Sequence, residues 1–266
     1  MNTTDFQAYI WERGRELYRD MPWRRDTRPY YVVVSELMLQ QTQVERVLPK
    51  FSQFITAFPD VAALAAAPLA EVLTVWSGLG YNRRAKFLHE TARRVVADFN
   101  GVFPDTRDAL VTLPGIGENT AGAVLAYSYN QPAVFIETNI RTVYFYHFFD
   151  DVDTVHDKEV RERVAQTCDT EHPREWYWAL MDYGAFLKRQ GVGRIAKSTH
   201  YKKQAPLKGS VREVRGDIIR VLTREDCTET VLRRAVVADE RFPRALEGLI
   251  ADGLVTKTKG TLHLTR

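Results

Sequence analysis

Apolar residues recur at Phe6, Tyr9, Ile10, Leu17 and Tyr18, the spacing of one helix face, and predict a helix over Asp5 to Tyr18. Pro22 and Pro29 bracket a polar connection, after which Tyr30 to Val44 predicts a second helix. Phe51 to Phe58 follows, and Pro59, Pro68 and the Gly78–Gly80 pair punctuate three more short helices. Leu88 to Phe99 is amphipathic and stops at Asn100-Gly101. Thr106 to Leu113 and Asn119 to Ser128 predict two helices around the tight turn Pro114-Gly115-Ile116-Gly117. Strand patterns are scarce before residue 254. There Leu254 to Lys257 and Thr261 to Leu264 alternate polar with apolar around Lys259-Gly260, a hairpin pattern. Helical patterns at Val211 to Leu222, Thr230 to Val237 and Arg244 to Ala251 precede it, so the chain closes on the element order of a winged helix. The boundary of this part is expected within Gly191 to Gly209, a Gly-, Lys- and Ser-rich stretch without periodicity. No internal repeat or low-complexity tract is present, and the pattern as a whole predicts a mainly α fold.

Composition narrows the class. The 266 residues are 45% hydrophobic and 27% charged, an ordinary globular balance that excludes collagen-like, wholly disordered and coiled-coil chains. No apolar run reaches the roughly 18–20 residues of a bilayer span, and the N-terminus lacks a basic segment followed by an apolar one. A cytoplasmic protein with no membrane partner is expected. Two cysteines, Cys168 and Cys227, supply neither a disulfide framework nor a four-cysteine site. The net charge of +3 conceals an asymmetry. Phe186 to Arg220 carries ten Lys and Arg against Glu213 and Asp217, a net +8, so the rest of the chain carries −5. Such a block suits a polyanion such as DNA, and equally a solvated basic linker.

Three segments carry candidate chemistry. In Leu113-Pro114-Gly115-Ile116-Gly117, two glycines spaced by one apolar residue permit φ > 0 and turn backbone amides outward. Ile116 pins the turn from beneath. With the N-terminus of the following helix, the segment reads as a helix–hairpin–helix, an anion site suited to holding a DNA phosphate without reading sequence, or as an ordinary Pro-Gly loop between helices. Ser35-Glu36-Leu37-Met38-Leu39-Gln40-Gln41-Thr42-Gln43-Val44 puts one acid in an otherwise neutral helix, then two adjacent amides. Phe135-Ile136-Glu137-Thr138-Asn139-Ile140-Arg141 places a second acid ahead of a helix that Thr138 or Asn139 is suited to cap.

With these residues in view, the sequence resembles the helix–hairpin–helix (HhH-GPD) DNA glycosylases, most closely the MutY-type adenine glycosylases. The matching segments are Leu17 to Arg28, Ser35 to Val44, Trp76 to Ala85 (W-S-G-L-G-Y-N-R-R-A), Leu113 to Ala126, Ile136 to Val143 and Ala179 to Ala185 (A-L-M-D-Y-G-A). They are collinear over residues 5–190. The resemblance implies a two-lobed helical fold. It assigns residues 1–207 to the glycosylase domain, with a six-helix lobe over about 28–138 and a second lobe from the N-terminal helix plus 139–207. A winged-helix-like domain over 208–266 follows. It implies base excision: a nucleotide is flipped out of a duplex carrying a mispaired or damaged base, and its N-glycosidic bond is cleaved. Glu36 matches the general acid that protonates the departing purine, and Glu137 the group that stabilises the positive sugar. Asn139 matches a residue that aligns the catalytic site. Gln41 and Tyr81 match positions that wedge into the vacated stack, and Gly115, Gly117 and Thr120 match the phosphate-binding hairpin.

The departures from the family pattern are equally specific. Asn119 stands where the lyase branch carries its Schiff-base lysine, so a monofunctional glycosylase without AP lyase activity is expected. Glu137 replaces an aspartate, and one methylene shifts a carboxylate by about an ångström, enough to cost on the order of a hundredfold in rate unless the backbone retreats. Asn82 replaces a tyrosine usual in the adenine branch. Where the family typically holds a [4Fe–4S] cluster, Phe186 to Lys208 contains no cysteine, so no cofactor and no metal is expected. Arg194, Lys197, Lys202 and Lys203 are expected to make phosphate contacts in its stead. The expectation is a monomeric adenine glycosylase acting opposite 8-oxoguanine or guanine, nucleoid-associated in the cytoplasm. The alternatives are a thymine or uracil mismatch glycosylase, and a non-catalytic module that binds lesions.

Overall fold

The computed structural model describes every residue except 200–204 and residue 237. Lys202 and Lys203, and the last residue of the helix expected over Thr230 to Val237, therefore lie outside the described residues. The protein is mainly helical. The chain opens with α1 (Thr3–Leu17), the short α2 (Pro22–Arg25) and α3 (Pro29–Leu39), then runs through α4 (Val44–Ala57), α5 (Val61–Ala66), α6 (Leu69–Trp76) and α7 (Arg83–Phe99). The short α8 (Arg107–Leu110) leads to α9 (Glu118–Tyr129), α10 (Thr138–Phe148), α11 (Asp157–Thr167) and α12 (Pro173–Arg189). After a 3₁₀ turn at Ile195–Lys197 come α13 (Val211–Leu222), β1 (Cys227–Thr228), α14 (Glu229–Ala235), α15 (Arg241–Ala251), β2 (Val255–Thr258) and β3 (Thr261–Leu264). Among the described residues no helix is long and apolar enough to cross a membrane.

The residues pack as two compact units, neither of them a continuous stretch of chain. One comprises residues 1–33, 104–112 and 116–203; the other 34–103, 113–115 and 204–266. In the first, α12 is the central element and packs against α1, α9 and α10. Its aromatic run is core: Trp176 and Tyr177 are fully buried, with Phe6 of α1 edge-on to Trp176 at 6.0 Å between centroids. The buried hydroxyls are satisfied, Tyr177 donating to Ala133 O at 2.5 Å and Tyr144 pairing with Thr167 Oγ1 at 2.6 Å. Asp182 of α12 is 1% exposed and accepts from Arg24 at 2.6 and 2.9 Å and from Arg19 Nε at 2.6 Å. A buried carboxylate is tolerable only with such partners. Two segments that the resemblance picked out, around Arg24 and around Asp182, thus hold each other.

Helices α10 and α12 approach so closely that a Cβ at Gly184 would lie 2.2 Å from Asn139 O. Backbone cannot retreat as a flexible side chain does. Gly184→Ala is expected to destabilise the protein by about 1–3 kcal/mol through overpacking. A thermal melt checks this; an unchanged midpoint would mean that the helices separate freely.

In the second unit, Phe51, Phe54, Leu64, Leu73 and Trp76 of α4–α6 bury their side chains, and α5 and α6 pack on α7. The C-terminal segment belongs to the same unit: β3 touches α6, and Lys86 Nζ of α7 donates to Asp252 O at 2.8 Å. Its own core is α13 on α15, backed by an antiparallel sheet of order β1-β3-β2. Lys259 (φ 49°) and Gly260 (φ 86°) form the two-residue hairpin turn, with Thr258 opposite Thr261. Helix, strand, two helices and a two-stranded ribbon give the winged-helix order expected.

Several local expectations need correcting. The helix expected over Tyr30 to Val44 stops at Leu39, and a new one begins at Val44. Gln41 between them takes φ 55°, a left-handed conformation rare for a residue with a side chain. Strand β1 carried no sequence signal, because two residues are too few to alternate. Residues 104–112 and 116–138 pack with the first unit.

Candidate functional site

The candidate residues of the second unit converge on one side chain that sequence reasoning passed over. Arg84, in the first turn of α7, is 6% exposed. Its Nη1 donates to Leu37 O and Met38 O, both at 2.8 Å, and to Gln40 O at 2.6 Å. Its Nη2 reaches Thr42 Oγ1 at 3.1 Å and Gly80 O at 3.0 Å. The last carbonyls of a helix have no partner within it and carry the negative end of its dipole. Here a guanidinium satisfies them at the end of α3, within the turn that follows Glu36, and simultaneously grips the loop that carries Tyr81. Among the described residues no carboxylate pairs with Arg84. Burial accordingly lowers its pKa to about 10, which leaves it charged at neutral pH. Trp76 completes the clamp, its Nε1 donating to Gly80 O at 3.2 Å while the Arg84 guanidinium lies 5.4 Å from its ring.

The two residues expected to wedge are the two that this clamp sets in unusual backbone. Gln41 is exposed at φ 55° and Tyr81 half-buried at φ 49°. For residues other than glycine, such conformations cost on the order of 1–3 kcal/mol and persist where the surroundings over-determine them. Glu36, Gln41 and Tyr81 thus belong to one connected assembly, with Glu36 half-buried in α3.

The hairpin is built as expected at its centre and differently at its rim. Gly115 takes φ 78°, and a Cβ there would meet Phe87 Cβ at 2.8 Å, so both conformation and space require glycine. Ile116 is buried and Thr91 Oγ1 donates to Pro114 O at 2.7 Å, which fixes the turn. Gly117, expected with φ > 0, is instead extended (φ −94°, ψ −179°) and caps α9. Nothing lies within 4 Å of where its Cβ would be, so the turn is open on that side. Thr120 is buried at 9% exposure. Asn119 faces protein: its Oδ1 accepts from Ile136 N and from Arg161, both at 3.2 Å.

Those bonds tie α9 to the segment that presents Glu137. Glu137 itself is the N-cap of α10, without a side-chain capping bond, so neither Thr138 nor Asn139 caps that helix. Burial raises the Glu137 carboxyl above the usual carboxylate range, and Arg141, one turn on, works against that rise. Arg141 donates to both oxygens of Asp157 at 2.7 and 2.9 Å, while its buried Nε has no partner among the described residues. Asn139 Oδ1 accepts from Lys188 Nζ at 3.3 Å.

A raised carboxylate pKa fixes the sign of a stability effect. Below its ordinary value Glu137 is protonated in both folded and unfolded chains. As pH rises from that value to the raised one, the unfolded chain ionises first and stability falls, and above it the loss is constant. Glu137→Gln is therefore expected to raise the melting temperature at about pH 8 and to leave it unchanged near pH 4. Melts at both pH values check this; equal gains at both would assign the effect to packing.

The basic residues expected to meet phosphates are partly engaged. Arg194 pairs with Asp150, and Lys197 Nζ donates to Phe149 O at 3.2 Å and to Asp150 O. With two cysteines in the chain, the four thiolates of an iron–sulfur cluster are not at hand. Among the described residues, no three His, Cys, Asp or Glu side chains group as metal ligands. Besides Arg84 and the Arg24–Asp182 pair, sequence reasoning missed Arg212. It donates to the Tyr81 hydroxyl from α13, and its only sequence signal was membership of the basic block.

Residues 34–169 match the family described as HhH-GPD superfamily base excision DNA repair protein. The chain is 35% identical over 264 residues to the adenine DNA glycosylase of Mycobacterium tuberculosis (strain ATCC 25618 / H37Rv), covering 91% of this chain and 87% of that one. It is 35% identical over 170 residues to the adenine DNA glycosylase of Buchnera aphidicola subsp. Baizongia pistaciae (strain Bp), where it spans 48% of the relative's length. Among solved structures, a thermostable thymine-DNA glycosylase aligns at a TM-score of 0.64 and 26% identity, over 69% of this chain and 86% of that one.

Proposed function

The chain belongs to the HhH-GPD superfamily of base excision DNA repair proteins and, within it, to the family of the adenine DNA glycosylases, and we propose on that premise that it removes adenine from duplex DNA by hydrolysing the N-glycosidic bond. The observation that carries the proposal is the Arg84 clamp, which binds the Glu36 helix and the Tyr81 loop into one assembly. The M. tuberculosis relative supplies the substrate. In this reading the α9 amides beside Gly117 hold a backbone phosphate, and Gln41 and Tyr81 enter the stack from which adenine has left. Glu36 protonates the departing base, so that it leaves as neutral adenine. The positive charge left on the sugar faces the Glu137 carboxylate, and water adds to the sugar carbon, its proton passing to the Glu36 carboxylate, to give an abasic site. Asn119 has no amine with which to attack that carbon, so the DNA strand stays intact. No step requires a cluster or a metal. The enzyme works as a monomer on nucleoid DNA in the cytoplasm, with adenine opposite 8-oxoguanine or guanine as its substrate.

The 26% identity to a thymine-DNA glycosylase favours a second reading, excision of thymine or uracil from mismatches. Duplexes carrying adenine, thymine, uracil or hypoxanthine opposite guanine or 8-oxoguanine separate the two. Adenine-containing strands are expected to break after alkali treatment and to stay whole without it. Breakage confined to thymine or uracil strands would favour the second reading, and breakage without alkali would contradict the monofunctional assignment.

A further inference from the structure

We propose that Arg212 of the winged helix is a positioning residue for Tyr81, so that the C-terminal domain acts on base excision through the wedge. The inference rests on the wedge role given to Tyr81 above. Arg212, in the first turn of α13, donates to the Tyr81 hydroxyl, and its guanidinium stands 5.4 Å from the centroid of the ring. Arg84 stands over the same ring at 5.4 Å. The ring is thus attracted by two cations, one from each of two elements far apart in sequence. Arg84 fixes the backbone of the loop; among the described residues, Arg212 is the group that holds the end of the side chain. Arg212 is itself tethered, its Nη2 donating to Ala205 O at 2.6 Å.

The surrounding contacts fix α13 over the loop. Arg215, one turn along, pairs with Asp252 at 2.5 Å, and Asp252 also lies 3.6 Å from Arg83, the neighbour of Arg84. Lys86 donates to the Asp252 carbonyl. Around Tyr81 an open cleft of about 560 Å³ remains, lined by Gln40, Gln41, Asn82, Arg212 and Gly216. Gly216 leaves the α13 face of that cleft bare, since nothing lies within 4 Å of where its Cβ would be. A side chain held by its hydroxyl beside such a space is placed to enter a base stack, and the space accommodates what moves aside. The alternative use of a winged helix, groove reading by the helix before the ribbon, fits poorly. The exposed face of α15 is Pro243, Arg244, Glu247, Ile250 and Ala251, with no net charge to offer a phosphate backbone.

The test is a double-mutant cycle in the full chain, read by two assays on an adenine:8-oxoguanine duplex. One is the single-turnover rate of base release. The other is the fluorescence of 2-aminopurine placed beside the target, which rises when the base is extruded. Arg212→Ala is expected to lower both about tenfold, equivalent to about 1.4 kcal/mol. Melting temperature and affinity for undamaged duplex stay unchanged. Arg212→Lys, which keeps a cation over the ring and a donor for the hydroxyl, is expected to recover most of the loss. In a Tyr81→Ala background, Arg212→Ala is expected to change nothing further. A loss of the same size in that background would show that Arg212 acts on DNA directly, and a faster Arg212→Ala enzyme would make it a latch; either overturns the proposal. An Arg212→Ala enzyme as active as wild type, beside a slow Tyr81→Ala enzyme, would also overturn it. If Tyr81→Ala itself is as active as wild type, the wedge reading fails first and the inference falls with it.

Discussion

Glu36→Gln is expected to lower the single-turnover rate of adenine release by a factor of about 10² to 10⁴, the range that general acid catalysis contributes. The substitution keeps the shape of the side chain and its place in α3, half-buried and immediately before the carbonyls that Arg84 holds. It removes the proton that the base needs in order to leave. Purine departure without protonation places a full negative charge on the ring, and no other acid of the Ser35–Val44 segment is available to replace the lost one. Affinity for the substrate duplex and the melting temperature should be unaffected, because the amide fills the same volume. The informative comparison is therefore rate against binding. A variant that binds as wild type and does not release base places Glu36 in the chemical step. A variant that releases base at the wild-type rate would move the acid elsewhere and remove the mechanism proposed above.

Arg84→Ala is expected to be the most damaging single truncation in the second unit, lowering stability by about 3–5 kcal/mol. Its guanidinium satisfies the carbonyls of Leu37, Met38, Gln40 and Gly80, and the truncation strands them. Unsatisfied buried acceptors each cost about 1–3 kcal/mol. Relief of the buried charge, whose pKa burial already lowers to about 10, offsets part of the total. For a chain of this length, that corresponds to a fall of roughly 6–15 °C in melting temperature. Base release should fall as well, because the end of α3 and the loop of Tyr81 lose their common anchor. Arg84→Lys separates anchoring from charge: one ammonium cannot reach acceptors in three directions, so intermediate stability is expected. Thermal melts of both variants, with release rates measured well below the transition, check this. A melting temperature within about 2 °C of wild type for Arg84→Ala would mean that water or other donors replace the clamp.

Much of this arrangement was legible in the sequence, where local chemistry alone determines the outcome. Asn100 ends α7 in a left-handed conformation. Lys259-Gly260 turns the terminal hairpin, and the Pro114–Gly117 turn precedes α9. Each of these follows from turn and capping preferences within a few residues. What was not legible depends on partners distant in the chain. Gln40 to Gln43 contains no glycine or proline, so nothing local announced that a helix ends there; the end is held by Arg84, more than forty residues on. Arg83 and Arg84 are neighbours of the same type, one exposed and one buried, and the difference comes from what α7 packs against. The engagement of Arg194 by Asp150 likewise depends on the fold bringing the two together. The six matching segments pointed to the family, while the interactions that make them matter, Arg24 with Asp182 and Arg84 with α3, became visible only once the chain was folded.

The identity of the released base distinguishes adenine excision from every alternative. A duplex with a single adenine opposite 8-oxoguanine, incubated with excess enzyme and analysed by mass spectrometry of the small-molecule fraction, should yield free adenine in amounts equal to the abasic sites formed. A matching duplex with thymine opposite guanine should yield no free thymine. Free thymine or uracil in place of adenine, or abasic sites without any free base, would contradict the account.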